Sequence, residues 1–585
     1  KVKKSGNSGF KEFPRPLCYR KGRRDMNKPL PIGIDDFKKL RDYDSFYVDK
    51  TSLIKELLDN RNEVTLFMRP RRFGKTLSLS MLKYFFEKVF DKSGKEEDNS
   101  YLFTGLGIMM AGDNYTKHMG QYPVISLSMK SAKQPSFDKA YGMLKRQIAN
   151  EFRRHLYVVD RLEESDRDRY YSIMRENGDE LMYLDSLAFL SRVLMEVYGK
   201  KSIILLDEYD VPLENAYFNG FYKQMTDFIR SLFESALKTN PNLEFAVVTG
   251  CLRITKESIF TGLNNLKMVS ILDIGYSEQF GFTQKEVDSM LQSYNITGRQ
   301  EEVKAWYDGY MFGKTEVYNP WSILMYVDSL CQDKDTEPKP YWANTSSNSI
   351  IRELIEHADN TVKQEMETLI DGGTIEKPVH EEVTYEDIYN SADNLWNFLF
   401  FTGYLKKVEQ RLEDVTTYLT LGIPNLEVRY IYQNTILDWF NTRIRQKEFT
   451  GLYKALQQKD TLRMEKEISQ NLMETISFYD YREDYYHGFL GGLLKMMEGY
   501  TVKSNRESGL GRSDLLLLSA PYDGIAIIVE IKVSDTYAQL EEKALSALER
   551  IEEKQYDAEL RLEGYHTFIK YGISFYKKLC KVVCN

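Results

Sequence analysis

A chain of 585 residues with 42% hydrophobic and 13% aromatic content is globular rather than disordered, and it is too long for one core, so roughly three or four domains are expected. Its net charge of -8 excludes a global attraction to nucleic acid and leaves local basic patches for that purpose. No apolar run approaches the ~18 residues of a membrane span, and five scattered cysteines argue against a disulfide framework, so a soluble cytoplasmic protein with no membrane partner is expected.

The first 28 residues carry a local basic excess without apolar periodicity. A disordered leader, an added remnant with Met26 as the original start, and a nucleic-acid tail all fit this segment. From Pro31 to about Gly275, short β-rich runs (Val64–Met68, Pro123–Leu127, Ser202–Leu206, Phe245–Thr249) alternate with longer helical stretches. That alternation predicts a layered α/β domain with a mainly parallel sheet over residues 29–275.

Two motifs give this domain its chemistry. Arg69-Pro70-Arg71-Arg72-Phe73-Gly74-Lys75-Thr76 follows an apolar strand and precedes an apolar-periodic helix. Backbone N–H groups and an ammonium are thereby placed at a helix N-terminus, where phosphates bind. About 130 residues on, Ile203-Ile204-Leu205-Leu206 ends in Asp207-Glu208. The pair reads as a P-loop nucleoside triphosphatase. Lys75 is expected to reach the β/γ-phosphates, Thr76 to ligate Mg²⁺, Asp207 to hold that ion through water, and Glu208 to polarise the attacking water. Gly74 and Arg72 complete the phosphate loop, although Arg71 and Arg72 equally suit a neighbouring subunit or solubility. Thr249, at a strand end, is a candidate γ-phosphate sensor, and Arg253 is a candidate phosphate arginine or a surface ion pair.

After Gly275 the strands are expected to stop, giving a helical lid over residues 276–340. Thr283 and Glu286 form a capping box there. Residues 341–478 read as a second helical unit in which Leu395–Leu405 precedes two β-rich runs, Thr416–Leu421 and Glu427–Tyr432. Helices followed by a hairpin suggest a winged-helix-like module or an interdomain packing module of the same content.

The last unit, 479–585, reads as helix (Glu483 to Glu498), strands (Thr501–Asn505, Ser513–Leu518, Ile525–Val533) and an amphipathic helix from Ala538 to Tyr556. Hairpin counting pairs Asp514 with Val529 or, with a one-residue change of loop edge, with Glu530. Glu530 and Lys532 share a strand face, so the site would hold two carboxylates and an ammonium. Two such carboxylates suit Mg²⁺ or Mn²⁺, and the lysine can orient or deprotonate a water for in-line attack on a phosphodiester. An edge-strand ion pair without chemistry is the plain alternative. His487 reads as a packing histidine, and Arg512 as a phosphate contact or a partner of the carboxylates.

Many separate motifs in order carry a family likeness: Pro31-Ile32-Gly33-Ile34-Asp35-Asp36-Phe37, Tyr47-Val48-Asp49-Lys50-Thr51, residues 69–76, Asp207-Glu208-Tyr209-Asp210, Thr249-Gly250 and Gly262-Leu263-Asn264-Asn265-Leu266. They resemble the AAA-ATPase-like family. Gly511-Arg512-Ser513-Asp514, Glu530-Ile531-Lys532 and the helix Ala547–Tyr556 resemble a PD-(D/E)XK nuclease-superfamily domain, that family's usual C-terminal partner. The resemblance implies an ATP-binding module fused to a nuclease fold. In it Arg69 stands where the general phosphate loop has glycine, as this family often does. Arg550 stands where the nuclease helix often carries glutamine, and Glu483 is the candidate upstream carboxylate.

Two functions fit these residues. One is an ATPase coupled to a metal-dependent nuclease that acts on nucleic acid, DNA foremost. The other is a nucleotide-switched module that binds nucleic acid or protein without cutting. ATP and Mg²⁺ are the expected cofactors, with Mn²⁺ an option at the nuclease site, and self-assembly into a homo-oligomer is left open.

Overall fold

The structure is a computed structural model that describes residues 28–90, 96–238, 240–252, 259–260, 263–342, 360–379, 391–435, 449–474, 483–495, 497–508, 511–520 and 524–585. Residues 1–27 of the basic leader, Arg253, Gly262 and the side chain of Arg512 lie outside the described residues.

The N-terminal sheet is built from β1 (Val64–Met68), β2 (Val124–Ser128), β3 (Ser202–Asp207), β4 (Leu243–Gly250) and β5 (Leu266–Val269), in spatial order β2-β3-β4-β1-β5. Every pairing is parallel. Strands covered on both faces must be apolar throughout rather than alternating, and β1 and β3 are buried along their whole length. The helix α1 (Lys75–Phe86) leaves the carboxyl end of β1, and α2 (Val211–Phe218) follows β3. Because β4 lies between β1 and β3, its last residues stand between the phosphate loop and the acidic strand end. β5 was not anticipated from sequence, since its run of Leu266-Lys267-Met268-Val269 is only four residues long and is interrupted by Lys267.

The lid differs from the expected all-helical unit. It contains a small antiparallel sheet of β6 (Phe282–Thr283), β7 (Tyr310–Phe312) and β8 (Thr315–Tyr318), in order β6-β8-β7. Aromatic residues in β7 and β8 turn inward to pack, which rewards strand pairing over helix. The capping box forms as expected: Thr283 Oγ1 accepts from Glu286 N, and Glu286 Oε2 accepts from Thr283 N at 2.7 Å. The third helix of this unit, Pro320–Gln332, follows Gln284–Ser293 and Gln300–Tyr307 and is capped by Asn319 with proline in its first turn.

In the middle unit, β9 (Ile375–Pro378), β10 (Lys406–Glu413) and β11 (Thr416–Gly422) form an antiparallel sheet in order β9-β11-β10. The hairpin is thus β10–β11. Residues 426–435 are helical, not the strand expected over Glu427–Tyr432. Asn425 Oδ1 accepts from Val428 N at 3.0 Å, a cap that starts a helix, and Val428, Ile431 and Tyr432 are buried at helical spacing. The helix Ala392–Phe401, which precedes the hairpin, is buried at every position from Leu395 to Phe401. That burial suits interdomain packing better than insertion into a DNA groove.

The C-terminal sheet runs β12 (Tyr500–Ser508), β13 (Gly511–Ser519), β14 (Ile525–Val533), β15 (Thr567–Tyr576) and β16 (Leu579–Cys584) in sequential order. Only β14 and β15 pair in parallel. One face carries α3 (Glu483–Leu494) and the other α4 (Leu540–Glu553). β15 and β16 were missed from sequence, and Cys580, at the start of β16, is a buried packing thiol. Among the described residues, no helix is long and apolar enough to cross a membrane.

Candidate functional sites at two strand ends

The phosphate loop is shaped by two left-handed residues. Arg72 has φ 71° and Gly74 φ 87°, a winding that directs successive backbone N–H groups inward, and the first N–H groups of α1 lack intrahelical acceptors. Lys75 Nζ is buried and donates to the carbonyls of Arg69 (2.8 Å) and Pro70 (2.9 Å), with Cys251 Sγ 3.6 Å away. Thr76 Oγ1 donates to Asp207 Oδ2 at 2.7 Å, and Thr249 Oγ1 donates to Asp207 Oδ1 at 2.6 Å. Both carboxylate oxygens of Asp207 are therefore occupied by hydroxyls, one from the first turn of α1 and one from the end of β4. Glu208 adopts φ 53°, which turns its side chain out of the strand and toward the cavity. Burial first, and the charge of Asp207 second, raise its pKa above the ordinary carboxylate range.

A cavity of about 480 Å³ opens above this loop. Arg72, Gly74, Lys75, Thr76 and Glu208 line it, whereas Asp207 and Thr249 sit behind Thr76. Its wall is completed by residues not singled out from sequence: Lys130, Lys133, Glu214 and Trp321. Lys130 and Lys133 come from the turn after β2, two ammonium groups facing the same cavity as Lys75. Arg71 pairs with Glu214 on α2, and the Arg72 guanidinium lies 4.7 Å from the Trp321 ring centroid. These contacts could not be read from linear spacing, because Trp321 enters from the lid.

Arg69 explains why glycine is not needed at the start of the loop. Its side chain is fully buried behind the sheet, donating to Met68 O at 2.9 Å and Val269 O at 3.0 Å, and packing on the rings of Phe280 and Phe312. Burial lowers its pKa to about 9. The residue anchors the loop to β5 and the lid and faces away from the phosphate cavity. Phe73 adds a second anchor, edge-on to Tyr310 with centroids 5.0 Å apart.

At the other end of the chain, β13 and β14 pair through Leu515↔Val529, so the next positions outward are Asp514 and Glu530. The register is the second of the two sequence alternatives. The ladder stops there, and Asp514 Oδ2 instead accepts from Ile531 N at 2.7 Å. His487 on α3 fixes this strand end: its Nε2 lies 2.7 Å from Asp514 O, an acceptor, so Nε2 carries the proton. Glu530, Ile528 and Ala526 face α4, and the close seat of α4 depends on Gly572, paired with Glu530 across β15. A Cβ at Gly572 would stand 2.1 Å from Ala544 O.

Glu530 is fully buried, and neither of its carboxylate oxygens accepts a hydrogen bond among the described residues. Arg550 Nε stands 2.9 Å from Oε1, but the contact lacks hydrogen-bond direction. Burial, then the charge of Asp514, push the Glu530 carboxyl up to about 7. Lys532 lies 3.7 Å from Glu483, the candidate upstream carboxylate. Among the described residues, no three His, Cys, Asp or Glu side chains cluster as a ready metal cage. Glu530, with two buried oxygens that accept no hydrogen bond, and half-buried Asp514, whose Oδ2 is held by Ile531 N, nonetheless fit Mg²⁺ or Mn²⁺, ions that take one or two carboxylates and fill the rest of their shell with water and phosphate. The hydroxyl of Thr76 beside Asp207 is likewise an all-oxygen donor set for Mg²⁺.

Comparison with known proteins agrees with this division. Residues 31–260 match the family described as "Predicted AAA-ATPase", and residues 481–584 match the PD-(D/E)XK nuclease superfamily. A protein of Azotobacter chroococcum mcd 1, described as "Uncharacterized protein in vnfD 5'region", is 27% identical over 418 residues, which is 70% of each chain. With both strand-end sites inside the matched segments, the chain carries an AAA-ATPase-like domain over residues 31–260 and a PD-(D/E)XK nuclease-superfamily domain over residues 481–584.

Proposed function

We propose that this protein binds and hydrolyses ATP at the N-terminal loop and cleaves phosphodiester bonds of nucleic acid, DNA foremost, at Asp514, Glu530 and Lys532. The observation that carries the reading is Glu530, a fully buried carboxylate with no hydrogen bond to either oxygen among the described residues. Such a group is costly unless it is both paired and hydrogen-bonded, and the Arg550 guanidinium supplies a charge but leaves both oxygens without a hydrogen bond.

At the first site, Lys75 leaves the carbonyls of Arg69 and Pro70 to bind the β/γ-phosphates, while Thr76 and Asp207 supply oxygens for Mg²⁺. Glu208, turned toward the cavity, orients the attacking water. Lys130 and Lys133 add positive charge on the same side, where charge builds as the γ-phosphoryl group leaves.

At the second site, Asp514 and Glu530 would hold Mg²⁺ or Mn²⁺. The bound ion supplies Lewis-acid polarisation of a phosphoryl oxygen. Lys532, next to Glu483, orients the attacking water and accepts help from that carboxylate in moving its proton. His487, through Asp514 O, keeps the strand end in place.

The test is cleavage of single-stranded and duplex DNA and RNA with each metal. Asp514→Ala, Glu530→Ala and Lys532→Ala should each lose cleavage while ATP turnover persists. A second reading, a nucleotide-switched binding module that does not cut, is favoured by the Arg550 contact to Glu530. It prevails if the wild type cuts none of these substrates yet binds them. Control of one site by the other is tested with Glu208→Gln, which should bind ATP, hydrolyse it slowly, and make any ATP effect on cleavage persistent.

A further inference from the structure

Arg550 is placed to do more than neutralise Glu530. It rises from α4, held close to the sheet by Gly572, and its guanidinium pairs with Glu530, 2.9 Å from Oε1, while also interacting with the Tyr556 hydroxyl. Its side chain remains 42% exposed, so the same group can meet a ligand arriving from solvent. The other charges of the site are engaged elsewhere: Asp514 Oδ2 with Ile531 N, Lys532 with Glu483.

A guanidinium cannot shed its charge, and it binds phosphate oxygens in a bidentate fork better than it binds a single carboxylate oxygen. A divalent cation on Glu530 would share one buried carboxylate with that guanidinium, and two cations there repel. An anion that receives the guanidinium favours its departure, and the phosphodiester backbone is one.

We infer that Arg550 is a resident counter-ion that nucleic acid displaces: a backbone phosphate draws Arg550 off Glu530 and thereby opens the carboxylate pair to the metal. Metal and nucleic acid then bind with positive, reciprocal coupling. The inference rests on the reading of Asp514 and Glu530 as metal ligands.

The experiment is Mn²⁺ binding to the full chain, followed by the electron paramagnetic resonance signal of free Mn²⁺, with and without a short phosphorothioate DNA that resists cleavage. Binding lost in Asp514→Ala defines the site. Wild type should bind Mn²⁺ about ten-fold more tightly when DNA is present. Arg550→Ala should bind it about ten-fold more tightly than wild type without DNA, and gain little from DNA. Arg550→Lys, which keeps the charge, should stay weak without DNA. Equal or weaker Mn²⁺ binding in Arg550→Ala, or DNA-independent binding in the wild type, overturns the counter-ion role while leaving the metal site standing. Absence of any Asp514-sensitive Mn²⁺ binding overturns both.

Discussion

Asp207 and Glu530 occupy corresponding places, each toward the carboxyl end of an internal strand in a five-stranded sheet, yet their surroundings are opposite. Asp207 receives a hydroxyl on each oxygen, from Thr76 at 2.7 Å and Thr249 at 2.6 Å. Glu530 receives none, and the guanidinium of Arg550 stands 2.9 Å from one of its oxygens. A satisfied carboxylate can lose and regain its ligand at little cost, as repeated turnover of a nucleotide requires. A buried one that has an ion pair but no hydrogen bond gains more from a metal ion, which suits a site that should act only when its substrate is in place.

The largest effects test whether the sites are separate. Lys75→Ala should lower ATP turnover by roughly 10²–10³-fold, since the ammonium meets charge that grows in the transition state. The same variant should keep Mn²⁺-dependent cleavage measured without ATP. Steady-state phosphate release and a gel assay on one preparation check both; equal loss in both assays would merge the two regions into one unit.

Much of this division was legible in the chain itself. The phosphate loop, Asp207-Glu208 and the Asp514, Glu530, Lys532 set are short local patterns with strong chemical requirements, and they lie inside the two segments that match the families. Glu427–Tyr432 misled because its apolar residues suit either a strand or a helix, and the Asn425 cap decided for the helix. The lid sheet escaped because its pairs are short and its stability comes from aromatic packing. Lys130, Lys133 and Trp321 approach the cavity from separate elements, and only tertiary structure brings them together. The true role of Arg69, an anchor pointing away from the phosphates, was also invisible in a motif that counts only positions.

Glu427 sharpens the comparison as a third carboxylate. It is as buried as Glu530, but Oε1 accepts from Trp342 N and Oε2 from Ser322 Oγ, each at 2.8 Å. Burial still raises its pKa from 4.5 to about 7, against the effect of those bonds. With the folded value above the unfolded one, its contribution to stability is whole below about 4.5 and is lost as pH rises through about 7. Glu427→Gln should therefore flatten the decline in stability between those pH values, a difference of roughly 3 kcal/mol between wild type and variant across the window. Urea unfolding at a series of pH values measures it, and parallel profiles would mean that the carboxyl titrates normally.

The smallest effect addresses Asp207. Thr249→Val removes one of its two hydroxyl donors and should cost about 1–3 kcal/mol, the penalty for leaving a buried acceptor open. Saturating Mg²⁺ and ATP should restore part of that loss in thermal unfolding. A variant as stable as wild type would mean that the Thr249 contact does not matter to the empty site.

The most direct test of the account is a crystal of the full chain grown with Mn²⁺, a slowly hydrolysed ATP analogue and a short phosphorothioate DNA, with data collected at the manganese absorption edge. Two anomalous peaks are predicted, one beside Thr76 and Asp207 and one between Asp514 and Glu530, with Arg550 turned from Glu530 to a phosphate. Manganese beside Thr76 and Asp207 alone, with Arg550 still on Glu530 and DNA bound, would contradict the metal-dependent second site.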